Sequence, residues 1–107
     1  MFSKHDLQHI WLKLFPAEKL VAPVLTSTKN QPIDGETITL QCDLPNPDVN
    51  KFEFFKDGHS LGAANTDKTV TINSVRFSDS GVYTCTAVVD SVTSNSSNLV
   101  HISGRWN

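Results

Sequence analysis

The side chains able to do chemistry in this chain are few, and their spacing limits what they can do. The four histidines, His5, His9, His59 and His101, are scattered, and none sits beside a nucleophile or within a run of metal ligands. A general base has to reach the proton it takes, and a nucleophile needs a base within hydrogen-bond range. His5 and His9 have i, i+4 spacing, but two ligands without a third make a poor metal site. Cys42 and Cys85 are the only cysteines, with no CxxC pattern or Cys/His cluster, so zinc is not expected. One such pair in a small domain reads either as a structural disulfide or as two unrelated thiols. Asn95-Ser96-Ser97 is the one N-glycosylation sequon, since Asn73-Ser74-Val75 lacks the third-position hydroxyl. It matters only if the chain is secreted. From these residues no catalytic centre, no metal and no cofactor is expected.

The bulk composition narrows the partner class. A length of 107 residues fits one compact domain. Nine basic against eleven acidic side chains give a net charge of −2. Nucleic acids and anionic membrane surfaces reward clustered positive charge, so neither is expected as the main partner. No apolar run approaches the roughly 18 residues of a membrane span, so this segment is not expected to insert in a bilayer. No secretory leader is read either: Ile10-Trp11-Leu12-Lys13-Leu14-Phe15 is short and interrupted by Lys13, and no small-residue cleavage site follows.

The elements that must position these residues change character near residue 20. Before it, Leu7, Ile10, Trp11 and Leu14 follow the spacing of an amphipathic helix, with Ser3 able to cap it and Pro16 to stop it. Such a short helix needs something to pack on. It reads as a partner-binding helix or, more simply, as leader remnant or tail. After residue 20 short β-segments alternate with turn chemistry. Val24–Ser27 follows Pro23 and suits an edge strand. Asp34-Gly35 marks a turn. Ile38, Leu40 and Cys42 share one face of the next strand. After a loop over Leu44–Asp48, Lys51–Lys56 puts Phe52 and Phe54 on one face and Glu53 and Phe55 on the other. Asp57-Gly58 is a hairpin signal. Val70 and Ile72 point inward; Tyr83, Cys85, Ala87 and Val89 alternate with Val82, Thr84, Thr86 and Val88; Val100 and Ile102 sit on a last strand near 98–103. Six or seven short strands without a helix between them predict an all-β antiparallel sandwich.

The cysteines lie 43 positions apart, each at an inward position of a predicted strand, where two side chains can meet across a sandwich core. Around the second runs Val70-x-Ile72-x-x-Val75-x-x-x-Asp79-x-Gly81-x-Tyr83-x-Cys85 without a gap. This stretch resembles the strand E to strand F signature of the immunoglobulin superfamily, and the resemblance covers residues 22 to 103. It implies an immunoglobulin-like β-sandwich with an inter-sheet Cys42–Cys85 disulfide, a tight turn at Asp79-Ser80-Gly81, and a Tyr83 hydroxyl bonded back to upstream backbone. Phe54, twelve positions after Cys42, stands where the family usually has tryptophan. The cysteine spacing is too short for the two extra strands of a variable-type domain, so a C2 or intermediate type is expected. The domain is bounded at 21–103, with a tail at 1–20 and another at 104–107. Phe52-x-Phe54-Phe55-Lys56-Asp57-Gly58-x-x-Leu61-Gly62 is most similar to leukocyte surface receptors of the Fc-receptor-like group.

The resemblance implies a binding module rather than an enzyme: an extracellular recognition domain of an immune-type cell-surface or secreted receptor, with neighbouring immunoglobulin domains and a protein ligand. The usual partner surface in the superfamily is the outward face of strands G, F and C. Alternation places Glu53 and Phe55 there from strand C, and Thr84, Thr86 and Val88 from strand F. The competing reading of Phe55 is packing under the following hairpin or a neighbouring domain. The loops at 45–48 and 90–94 are rival contact sites. The alternative function is a structural spacer domain of an intracellular scaffold, in which the cysteines stay reduced.

Overall fold

The computed structural model describes residues 22–45 and 48–105. The helix expected over residues 1–20, the loop residues Asn46 and Pro47, and Trp106 and Asn107 lie outside the described residues. Eight strands follow in order: β1 (Val24–Ser27), β2 (Ile38–Asp43), β3 (Lys51–Lys56), β4 (His59–Ser60), β5 (Thr69–Ile72), β6 (Gly81–Val89), β7 (Val92–Thr93) and β8 (Val100–Ile102). A 3-10 turn, Phe77–Asp79, precedes β6. All strand pairs are antiparallel. One sheet has the order β1-β2-β5; the other has the order β4-β3-β6-β7, with β8 also on β6.

The period-2 patterns of the sequence decide which faces meet. In β2 the side chains alternate buried and half-buried from Ile38 to Asp43, so Ile38, Leu40 and Cys42 enter the core together. Leu25 from β1, Phe54 from β3, Tyr83 and Cys85 from β6, and Val100 and Ile102 from β8 complete it, and Val75 plugs one end. Phe52, Val70 and Ile72 pack at its margin. Burying an aliphatic side chain of this kind contributes about 1.5–3 kcal/mol before chain entropy is counted. Phe54 is 6% exposed and pairs with Cys85 across the strands, so phenylalanine occupies the place beside the disulfide.

Turn chemistry fixes the registers. Asp57 and Gly58 have φ of 51° and 83°, the doubly positive pattern of a two-residue hairpin, and join β3 to β4 with Lys56 opposite His59. Asp90 and Ser91 do the same between β6 and β7. The stretch read as a contact loop at 90–94 is therefore a tight hairpin with two strand residues, Val92 and Thr93. Its β-character escapes pattern reading because only two residues pair.

The first strand changes partner along its length. β1 pairs with β2, but beyond Thr28 the chain crosses to the other sheet. There the Ser103 N–H donates to the Asn30 carbonyl and the Arg105 N–H to the Pro32 carbonyl, both at 2.9 Å. Ile33 and Arg105 form a parallel bridge. The ordered edge thus continues through Gly104 to Arg105, past residue 103, because the backbone of 30–34 offers it a partner. The crossing is clipped by Glu36, whose carboxylate accepts from the Ile33 N–H at 2.6 Å and from Lys29 Nζ at 2.8 Å. These two donors hold the Glu36 carboxyl below its ordinary pKa, the backbone bond being the larger influence.

Candidate partner-binding surface

Cys42 on β2 and Cys85 on β6 are joined as a disulfide with Cα atoms 6.2 Å apart. The bond ties one sheet to the other, and both residues are fully buried. Below it the Tyr83 hydroxyl donates to the Asp79 carbonyl at 2.5 Å. Asp79 in turn accepts from the Arg76 N–H at 2.8 Å, closing the 3-10 turn on itself. Burial first, and the carboxylates of Asp79 and Asp57 second, push the Tyr83 phenol up to about 12. Gly81 has φ of 155°, and a Cβ there would meet both carboxylate oxygens of Asp57 at 2.9 Å. Asp57 needs that space: its Oδ1 accepts from the Val82 N–H at 2.9 Å, fastening the β3–β4 hairpin to the start of β6. Lys56 Nζ donates to the Ser78 carbonyl from the same corner.

With both strands held in this way, their outward side chains form one surface. In the β3–β6 register Glu53 lies opposite Thr86, Phe55 opposite Thr84, and Lys51 opposite Val88. The five side chains placed on the outward face by sequence are therefore brought together. Their exposure differs. Glu53, Phe55, Thr84 and Val88 are partly exposed, whereas Thr86 is 7% exposed. Thr86 sits on the middle of β6, which is flanked by β3 on one edge and by β7 and β8 on the other, and has little area left to offer. The Glu53 carboxylate accepts from Ser60 Oγ at 2.7 Å, so its position is set by the β4 hairpin. Phe55 pairs with Ser60 on its other side.

Three polar residues important to the architecture escaped the sequence reading. Ser94 and Ser97 are buried, at 5% and 8% exposure. Ser94 accepts from the Ala87 N–H at 3.0 Å, and Ser97 accepts from the Cys85 N–H at 2.9 Å. Their own N–H groups donate to the Ala87 and Cys85 carbonyls. Side-chain hydroxyls here do the work of ladder carbonyls between β7 and β8. Asn98 goes further: its side-chain amide accepts from the Leu25 N–H and donates to the Leu25 carbonyl. The available signal was the polar run Ser94-Asn95-Ser96-Ser97-Asn98, whose residue types compete for backbone partners. Asn95 itself is exposed.

The immunoglobulin domain family matches residues 22–88 by its sequence profile, which is most of the chain. This chain belongs to the immunoglobulin domain family. Human Fc receptor-like protein 5 is 34% identical over 82 residues, a stretch that covers 71% of this chain and 8% of that protein. The chain thus spans a small fraction of the curated relative it matches. Among solved structures, the second Ig-C2 domain of human Fc-receptor like A superposes with a TM-score of 0.70 at 25% identity, over 80% of this chain and 99% of that one. Murine CEACAM1b superposes with a TM-score of 0.69 at 17% identity, over 81% of this chain and 46% of that one, a likeness of fold alone. The domain is Fc-receptor-like within its family, with the expected two sheets and the disulfide between them.

Proposed function

We propose that this immunoglobulin domain is a ligand-recognition module of an immune-type cell-surface or secreted receptor, acting outside the cell and without catalysis. The likeness to Fc receptor-like protein 5 carries the reading. The buried Cys42–Cys85 bridge supports it, because disulfides persist in oxidising compartments and are rare in the cytosol.

The ligand is a protein, and it docks on the outward face of β3 and β6. Phe55, with Thr84 beside it, supplies the apolar anchor at one end of the face and Val88 a second apolar contact at the other, with Glu53 a fixed acceptor between them. Aromatic anchors surrounded by polar groups carry much of the energy of protein interfaces. Thr86 adds shape rather than contact area. Neighbouring immunoglobulin domains flank this one in the parent protein, in keeping with the small share of the relative that the chain spans. The net charge of −2 disfavours nucleic acid as a partner.

The test is the intact mass of the protein from its native cells, with and without glycosidase and reductant. A disulfide together with a glycan on Asn95 is expected. Free thiols and no glycan would instead favour a spacer domain of an intracellular scaffold.

A further inference from the structure

The sequon Asn95-Ser96-Ser97 is split by the fold. Asn95 is exposed. Ser97 is the opposite. It is 8% exposed, its hydroxyl accepts from the Cys85 N–H at 2.9 Å, and it donates to the Asn98 carbonyl at 2.9 Å. The acceptor signal is defined by a hydroxyl at its third position, so a transferase must read that hydroxyl. In the folded domain it is already engaged on both sides. The segment around it is held equally well: Ser94 is bonded to Ala87 in both directions, and Asn98 grips Leu25 across the sandwich.

We propose that Asn95 accepts an N-linked oligosaccharide only before this segment docks on β6, and that folding then seals the sequon. In the transfer, the Asn95 amide nitrogen bonds to the anomeric carbon of a lipid-diphosphate-linked oligosaccharide. The lipid diphosphate leaves with the electron pair of the broken C–O bond, and the amide loses one proton to a base of the transferase. Glycosylation and folding then compete for one hydroxyl group. Because Ser97 holds the N–H of Cys85 itself, the docking that closes the sequon also orders the residue that must form the disulfide. Once attached, the glycan lies on the edge of the five-stranded sheet opposite β4, where it hinders edge-to-edge association with another sheet. The cellular setting of this step rests on the extracellular reading above.

The experiment offers the purified full chain to an oligosaccharyltransferase with a lipid-linked oligosaccharide donor, in two states. One is oxidised and folded. The other is reduced with both thiols alkylated, which cannot refold because Cys42 and Cys85 have no exposed surface and no room for adducts. Mass spectrometry is expected to find modification of Asn95 in the alkylated chain and at least about tenfold slower modification in the folded one. A Ser94→Ala variant leaves the sequon intact but loosens the same ladder, and its folded form is expected to react about tenfold faster than the folded parent. Equal rates for folded and alkylated chains would overturn the proposal, as would no reaction in either. A Ser94→Ala rate equal to the parent's would overturn the role of the ladder. Glycan-free protein from native cells, with normal reaction of the alkylated chain, would sink the extracellular reading and leave this one standing.

Discussion

The side-chain amide of Asn98 pairs with both backbone polar groups of Leu25, accepting from its N–H at 2.9 Å and donating to its carbonyl at 3.0 Å across 73 residues of sequence. One side chain thus imitates a neighbouring strand and closes an edge of β1 that would otherwise meet water. Leu25 is 2% exposed, so its backbone groups have poor access to solvent if the amide is lost.

Replacing Asn98 by Ala is expected to destabilise the domain by about 2–3 kcal/mol, since two part-buried backbone groups lose their partner. Asn98→Asp keeps the acceptor and loses the donor, so it is expected to fall between parent and Ala. Denaturant titration of the three proteins checks the order. An Ala variant as stable as the parent would mean that water replaces the clamp without cost.

The tyrosine corner makes a prediction about alkaline pH. The phenol of Tyr83 is pushed up to about 12 in the folded state by burial and by the carboxylates of Asp79 and Asp57, whereas an unfolded phenol titrates near ~10. Between those values the folded state holds the proton that the unfolded state has lost. Stability from this group is therefore complete below pH ~10 and declines as pH rises toward 12, by up to about 1.4 kcal/mol per unit. Tyr83 is the only tyrosine in the chain, so phenolate absorbance reports it alone. A midpoint equal in native and denatured protein would contradict the corner. Tyr83→Phe is expected to cost about 1 kcal/mol and to flatten the alkaline decline.

Gly81 joins two constraints at one position. Its φ of 155° disfavours any side chain, and the Asp57 carboxylate fills the space that a Cβ would take. Gly81→Ala is expected to cost about 2–4 kcal/mol, from backbone strain and from displacing the acceptor of the Val82 N–H. Pairing it with Asp57→Ala separates the two: the double variant relieves the clash with the carboxylate, and its loss relative to Asp57→Ala alone reports the backbone strain. Thermal melts of the set make the comparison.

Phe55 is the test of the proposed interface. It is half-buried on the outward face opposite Thr84. Phe55→Ala is expected to lower stability by about 1 kcal/mol and to weaken partner binding by 2 kcal/mol or more, about thirtyfold. Binding of the domain to ligand-bearing cells, measured beside a denaturant curve, reads both. A collapse of stability with unchanged binding would return Phe55 to the core and remove it from the surface.

The strand pattern from Ile38 to Cys42 and the run from Val70 to Cys85 were legible because both obey simple physics. Alternation sorts side chains between two faces, and the corner needs an acid, a glycine and a tyrosine at fixed offsets. Those residues carry the pairing of sheets, the bridge and the register of β3 on β6, and hence the location of the outward face. Thr86 was harder, because alternation gives direction but not depth, and a central strand buries polar residues on its outer side. The stretch from Ser94 to Asn98 was illegible as structure. Ladder bonds made by hydroxyl and amide side chains leave no period of two, and its residue types match those of an unstructured loop. The partner exchange of the first strand was hidden for a similar reason: backbone groups made it, and they carry no sequence signature.

That exchange decides how the domain carries a load. Residues 30–34 run parallel to residues 103–105, so the chain enters near one pole of the sandwich and leaves near the other. Tension applied to the two ends acts along the paired segments and across the bonds that Asn30, Pro32 and Asp34 make with Ser103 and Arg105, and these must shear together instead of opening one at a time. If they yield, the Cys42–Cys85 bridge still shortens the length that can pay out, because the loop it closes cannot extend. A domain loaded through its two ends would thus resist being drawn out.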